Sequence, residues 1–317
     1  MLYLFTGKGG VGKTTVSSAT ALHHAGLGKR TLLVSSDPAH STDDVLQCKV
    51  GNTPTKITDN LDAMNINAET QAKEFMSLIN DEVKGMMGNV PGFDPDMFMD
   101  MAGFPGMDEY FGMELIHRYM KSEDYEVIVF DTAPTGHTMK MLTAPDAIRS
   151  FILRILRMKT KIENIKGFIF RKKSQTEQIV KELEAICERI DEFKELLSSS
   201  GVSINLVSIA TEAGYQECAR TLKFLHHINI PVRQIIINNI IPDFGEEVWA
   251  SVDKNPASAL THRNFTIQQP YIEKYRNLVK ENKLRMIGLT VVPFEPIGII
   301  PLTKFATLVW KEGSGMK

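Results

Sequence analysis

The residues with the most specific chemistry stand at the start of the chain, in Leu2 to Thr15, LYLFTGKGGVGKTT. Gly7, Gly12, Lys13 and Thr14 satisfy the G-x-x-x-x-G-K-[ST] pattern of a phosphate-binding P-loop. A short apolar run before them and helix-compatible residues after them supply the setting that the pattern needs. Gly7, Gly9, Gly10 and Gly12, with Val11 between them, let backbone N–H groups turn inward around a phosphate, and the helix running on through Thr15 adds the positive end of its dipole. Lys13 is placed to meet β and γ phosphates, and the Thr14 hydroxyl to sit on Mg2+. A glycine-rich turn with solvated lysines is the plainer account, and the complete pattern in its setting outweighs it. Lys8 is not required by the generic pattern; by residue type alone it is a solvated charge.

Two aspartates follow apolar runs that read as strands. Thr31 to Ser35 (TLLVS) delivers Asp37, Pro38, Ala39, His40 and Ser41 to the same sheet edge as the loop, because parallel strands carry their connections at one end. There Asp37 can orient or deprotonate a water in phosphoryl transfer; an Asp-Pro turn accounts for it equally well. Val127 to Phe130 runs directly into Asp131, the position of a carboxylate that holds Mg2+ directly or through water, although an N-cap aspartate in a turn would look the same. Gly136 supplies a hinge in the segment that follows, one that can order with a triphosphate and relax after hydrolysis.

The elements that must position these side chains alternate between strand and helix. Val16 to Leu27 reads as a helix ending near Gly26 and Gly28, Asn60 to Asn67 as a third strand, and Ala68 to Met87 as a helix. Gly88 to Gly106, with Pro91, Pro95 and Pro105 among phenylalanines, fits no long regular element. Met107 to Met120 reads helical, Ile148 to Leu156 carries an amphipathic stripe, Lys159 to Lys173 is basic and apolar, and Ser174 to Ser198 is a second striped helix. Strand and helix then alternate again: Ile204 to Ile209, Tyr215 to His226, and Val232 to Ile237 ending at Asn238 and Asn239. Pro270 to Lys283 (helix), Arg285 to Val292 (strand), a Pro293 to Gly298 loop and a last helix through Trp310 complete the chain. The pattern predicts an α/β fold of the P-loop NTPase type over residues 1–317, a mostly parallel central sheet flanked by helices. Helical, methionine-rich insertions fall at approximately 68–121 and 139–200.

Composition narrows the function classes. With 317 residues and 43% hydrophobic content the chain can bury a sizeable core, and a net charge of −2 gives no whole-protein attraction to nucleic acid or anionic membrane. No apolar run reaches the roughly 18 residues of a membrane span, and Met1 leads straight into a strand, so a cytoplasmic protein without a nucleic-acid partner is expected. Cys48, Cys187 and Cys218 are widely separated and form no C-x-x-C, which argues against a disulfide framework or a zinc knuckle. Of 16 methionines, 13 fall between Met64 and Met158. Flexible thioethers suit a surface that accepts varied apolar clients, with core filling as the competing account.

GKGGVGKTT resembles the deviant P-loop of the ATPase class that includes the nitrogenase iron protein, MinD, ParA and the arsenite-pump ATPase ArsA. The resemblance implies that Lys8 reaches across a homodimer to the partner's nucleotide, giving a catalytic set of Asp37, Lys8 and Lys13. DPAHS at Asp37 to Ser41 and DTAPTGHT at Asp131 to Thr138 are similar to the two switch segments of the ArsA group, which contains arsenite-pump ATPases and the ATPases that target tail-anchored membrane proteins. That likeness implies ATP and Mg2+, adenine recognition by Asn238 (by itself a turn residue equally well), and a base-side loop opening at Pro293, where Ile297 replaces a frequent arginine. It further implies a methionine-lined groove across two subunits for a transmembrane helix, and a membrane receptor that receives the client. The zinc-binding C-x-x-C of many targeting ATPases has no counterpart between Asn239 and Tyr271, so no zinc site is expected. The cysteine triplets of the arsenite branch have no evident match, and a single P-loop serves the whole chain. The resulting expectation is an ATP-driven homodimeric chaperone for transmembrane segments. The alternatives are the catalytic subunit of an arsenite or antimonite efflux pump, and a MinD- or ParA-like switch, for which neither a membrane-targeting tail nor a DNA-binding patch is visible.

Overall fold

A computed structural model describes residues 1–37, 41–66, 107–132, 173–250 and 256–310, with isolated positions between 136 and 153. In chain order its elements are β1 (Leu2–Thr6), α1 (Lys13–Gly26), β2 (Thr31–Ser35), α2 (Ser41–Leu46), β3 (Thr55–Thr58), β4 (Leu61–Asn65), α3 (Met107–Lys121), β5 (Val127–Asp131), α4 (Lys173–Ser198), β6 (Val202–Ile209), α5 (Glu212–His227), β7 (Val232–Ile240), α6 (Glu246–Ala250), α7 (Pro256–Glu281), β8 (Arg285–Thr290) and α8 (Ile299–Val309).

Among the described residues eight strands form one sheet in the order β3-β4-β2-β5-β1-β6-β7-β8, parallel throughout except where β3 meets β4. The central strands are apolar runs buried on both faces, as a parallel sheet covered by helices requires: Leu32, Leu33 and Val34 in β2, Val129 in β5 and Ile235 to Ile237 in β7 are all completely buried. α1 and α8 pack against one face, joining Val16, Ala19 and Leu22 to Leu302, Phe305 and Val309 in one apolar cluster. β1 has β5 on one side and β6 on the other, so the strand order reverses about it and leaves a crevice at its carboxyl end.

The chain divides into two compact units. Met1–Ile66, Tyr119–Gly136 and Ser198–Lys317 make up the first, which contains the sheet; Asn67–Arg118 and His137–Leu197 make up the second. Within the second, α3 and α4 are joined by an Arg189–Glu114 ion pair at 3.2 Å and by His117 set edge-on to Phe193. Met113, Ile116, Ile190 and Leu197 are buried there.

Several expectations shift. Thr55–Thr58 forms an antiparallel edge strand that was not anticipated, because TKIT is too short to show alternation. Asp131 and Asn238 lie inside their strands, not after them. α7 begins at Pro256 and contains Pro270, the residue read as its start. Met64 and Met113, two members of the methionine-rich stretch, are core residues at 1% exposure. The helix read at Ala68 to Met87, the irregular stretch to Gly106, and most of the stripe from Ile148 to Leu156 lie outside the described residues, as does the basic stretch to Lys173 except for that lysine itself.

Candidate phosphate-binding site

The P-loop leaves the carboxyl end of β1 at Gly7. A Cβ on Gly7 would come within 2.0 Å of Val207 O on β6, so only glycine passes this point. The loop ends at Gly12 with φ +89°, and α1 follows with no capping side chain, which leaves its first N–H groups open to an anion. Lys8, Gly9 and Gly10 are exposed on the loop, Val11 is buried beneath it, and Thr15 is half-buried in the first turn of α1.

Lys13 is 8% exposed and folds back, its ammonium donating to Lys8 O at 3.3 Å. Burial pulls its pKa down, and the negative charges of Asp131, Asp37 and Glu217 oppose that shift. A chain of hydroxyls crosses from the P-loop to Asp37. Ser41 Oγ donates to Asp37 Oδ2 at 2.8 Å and lies 3.0 Å from Thr14 Oγ1. Ser41 spends its single proton on Asp37, so Thr14 is the donor in the second contact. Asp37 N donates to Ser35 Oγ at 3.2 Å, fixing the aspartate to the end of β2.

Asp131 closes the floor of the site. It pairs in register with Phe5 of β1 and Ser35 of β2, and Ser36 N donates to its carbonyl at 3.0 Å. Its carboxylate is fully buried and neither oxygen has a hydrogen-bond partner. Burial pushes its pKa up to about 7; the nearby Thr14 and Ser17 hydroxyls and the Lys13 charge pull downward, and Asp37 adds repulsion. The two hydroxyls lie close but are committed elsewhere, Ser17 Oγ to Thr14 O at 3.0 Å and Thr14 Oγ1 to Ser41, so neither completes a bond to the carboxylate. The Lys13 charge is near, but neither oxygen of this buried acid receives a hydrogen bond, so its negative charge is under-compensated. Beside hydroxyl oxygens it suits a hard cation, and Thr14 and Asp131 are the residues that would hold Mg2+.

Asn238 reaches the loop from β7. It is 6% exposed, and its Nδ2 donates to Val11 O at 3.0 Å. Asn239 is exposed with φ +57°, so the first of the two asparagines is the one that faces the site. Pro293 is exposed in the loop after β8, at the same sheet edge. The structure therefore brings Lys13, Thr14, Asp37 and Asp131 together, with Asn238 against the loop and Lys8 exposed upon it. Pro38 to His40, and Ala133 to Thr138 apart from Gly136, lie outside the described residues. Sequence reasoning gave no role to Ser41, which links Asp37 to Thr14, or to Glu217, whose charge bears on Lys13. Spacing four residues beyond Asp37 is the single signal that Ser41 offered.

A sequence profile of the ArsA ATPases, described as anion-transporting ATPases, matches residues 1–311. The putative arsenical pump-driving ATPase of Chlorobaculum tepidum is 31% identical over 98% of this chain and 76% of its own length. ATPase GET3C of Arabidopsis thaliana is 33% identical over 98% of this chain and 82% of its own. The putative arsenical pump-driving ATPase 2 of Aquifex aeolicus is 26% identical, covering 96% of this chain and 97% of its own.

Proposed function

We propose, from the premise that this chain belongs to the anion-transporting ATPase family and is an ATPase, that it works as a homodimeric chaperone for hydrophobic transmembrane segments of tail-anchored proteins, releasing them to a membrane receptor under nucleotide control. Relatives named for arsenical pumps and relatives named GET3 match it alike, so the family supports ATP hydrolysis with Mg2+ and leaves the role to other observations. The observation that carries this reading is the concentration of 13 of 16 methionines between Met64 and Met158, in a stretch broken by glycine and proline. Among the described residues no helix is long and apolar enough to cross a membrane. The reading places the protein in the cytoplasm.

In this mechanism the P-loop amides and Lys13 hold the β and γ phosphates, and Thr14 and Asp131 would hold Mg2+, which would supply charge neutralisation there. Asp37 orients the attacking water, and Ser41 fixes that carboxylate in turn. Lys8, exposed at the loop's outer side, acts on the nucleotide of the partner. Asn238 and the loop at Pro293 receive the adenine. The reading includes no zinc at the dimer, because 239–271 contains no cysteine for a C-x-x-C site.

An arsenite pump reading draws on the names of the relatives. Cys218 lends it no support: burial pushes that thiol up to about 12, and a metalloid ligand binds as a thiolate. The test is direct. Purified protein incubated with a tail-anchored substrate should hold it in a soluble complex that ATP dissolves or forms. Failure to keep any such substrate soluble rejects the proposal, and turnover that rises with arsenite replaces it with the pump.

A further inference from the structure

α2 begins at Ser41, the residue that links Asp37 to Thr14, yet at six residues it is too short to hold its own place. Its position is set from outside. Gly298 N donates to Val45 O at 2.8 Å, and Thr42 and Leu46 are buried beneath the helix. A further tie is Asn65, the last residue of β4, whose side chain is 5% exposed. Its Nδ2 donates to Asp43 Oδ1 at 2.9 Å and to Val50 O at 3.2 Å, one bond into the first turn of α2 and one into the loop behind it. Its backbone N–H donates to Gly51 O at 2.8 Å, and the next residue, Ile66, donates to Ser35 O on β2 at 2.8 Å.

The amide's orientation follows from chemistry. Turned over, Asn65 would set its oxygen against the Asp43 carboxylate, so the nitrogen must face it. As placed, its Oδ1 is buried without a donor. An unpaired buried acceptor is destabilising, and the two bonds that Nδ2 gives, to Asp43 in α2 and to Val50 behind it, offset it.

We propose that Asn65 is a positioning residue for ATP hydrolysis: through Asp43 it fixes the first turn of α2 and so holds the Ser41 hydroxyl against Asp37 and Thr14. The role rests on Asp37 acting as the water-positioning carboxylate.

The experiment is steady-state ATPase kinetics on Asn65→Ala, Asp43→Ala and the double variant, with Asp37→Asn alongside and thermal melts of each. Losing a bond to a carboxylate should lower kcat on the order of tenfold in each single variant, with KM for ATP within about twofold, because the P-loop contacts are untouched. The double variant should be no slower than the slower single one, since both remove the same link. Asp43 is only half-buried, so Asp43→Ala carries the test if Asn65→Ala does not fold. Wild-type kcat in folded Asp43→Ala, or losses that multiply in the double variant, overturns the role of Asn65. If Asp37→Asn turns over like wild type, the assignment of Asp37 has failed; if it is slow while the α2 variants are not, Asn65 alone has.

Discussion

Asn238 Nδ2 donates to Val11 O at 3.0 Å, binding the strand β7 to the crown of the P-loop across 227 positions of sequence. The contact is close because Gly12 has no side chain: a Cβ there would lie 2.4 Å from the same Nδ2, at a φ of +89° that side chains resist. Gly12→Ala therefore combines a steric conflict with backbone strain of about 1–2 kcal/mol. The expected outcome is a folded protein with a lowered melting temperature and ATP affinity reduced by tenfold or more by calorimetry. Gly12→Ala with Asn238→Gly should recover part of the stability, since the clash goes and the strain stays.

Asp37 accepts from Ser41 and is anchored to Ser35, which aims a carboxylate without committing it to the metal. Asp37→Asn keeps the shape and removes the base. Hydrolysis should slow by on the order of a hundredfold or more while ATP binding changes little, as for a water-positioning group. Turnover at the wild-type rate would remove Asp37 from the mechanism.

Lys8 is exposed on the loop, in contrast to buried Lys13, and nothing in its setting requires its charge for the fold. Lys8→Ala should melt like the wild type and bind ATP as a monomer. Its steady-state ATPase should fall several-fold under conditions where the protein is dimeric by mass measurement. Full dimeric turnover would end the proposed action on the partner's nucleotide.

How much of this was legible in the sequence follows from how local each feature is. Gly7 to Thr14 and the Asp131 that ends VIVFD are read within a few residues, because the loop, its helix and the strand-terminal carboxylate are consecutive. Ser41 is close in sequence to Asp37, yet its role exists only once Thr14 lies beside it. Asn65 was invisible as a functional residue. Its partners are Asp43 and Val50, and no spacing rule connects a strand's last amide to a helix two elements earlier. TKIT was missed as an edge strand because four residues carry no period, and Pro270 was read as a helix start because proline is favoured in a first turn. Buried Met64 and Met113 show where composition misleads: methionine in a rich stretch still fills a core when its strand or helix faces inward.

Asp131 makes the nucleotide-free protein lose stability between acid and neutral pH. Its folded-state pKa is raised from 3.8 to about 7, so its contribution to stability is fully present below about pH 4 and is lost as pH rises through 7. The span corresponds to roughly 4 kcal/mol. Asp131→Asn removes the titration and should melt higher than wild type at pH 8 without nucleotide, by chemical denaturation or calorimetry. The same variant should lose the stabilisation that Mg2+ with ATP gives the wild type, because the metal's carboxylate is gone.

His24 imposes the opposite dependence at the far end of α1. It is 5% exposed, lies 4.9 Å from the Tyr3 ring and 5.1 Å from Trp310 between ring centres, and neither ring nitrogen has a hydrogen-bond partner. Burial first, then the charges of His23, Lys29 and the N-terminus, lower its pKa from 6.5 to about 4. The unfolded chain binds this proton more readily, so stability is full above about pH 6.5 and falls as pH drops toward 4, by about 3 kcal/mol in all. His24→Phe, which keeps a ring against Tyr3 and Trp310 and cannot be protonated, should match or exceed the wild type at pH 7. The difference in unfolding free energy between the two should widen steadily from pH 6.5 to pH 4.5. A difference that stays constant across that range would mean that His24 takes up its proton alike in the folded and unfolded protein, and would overturn this account.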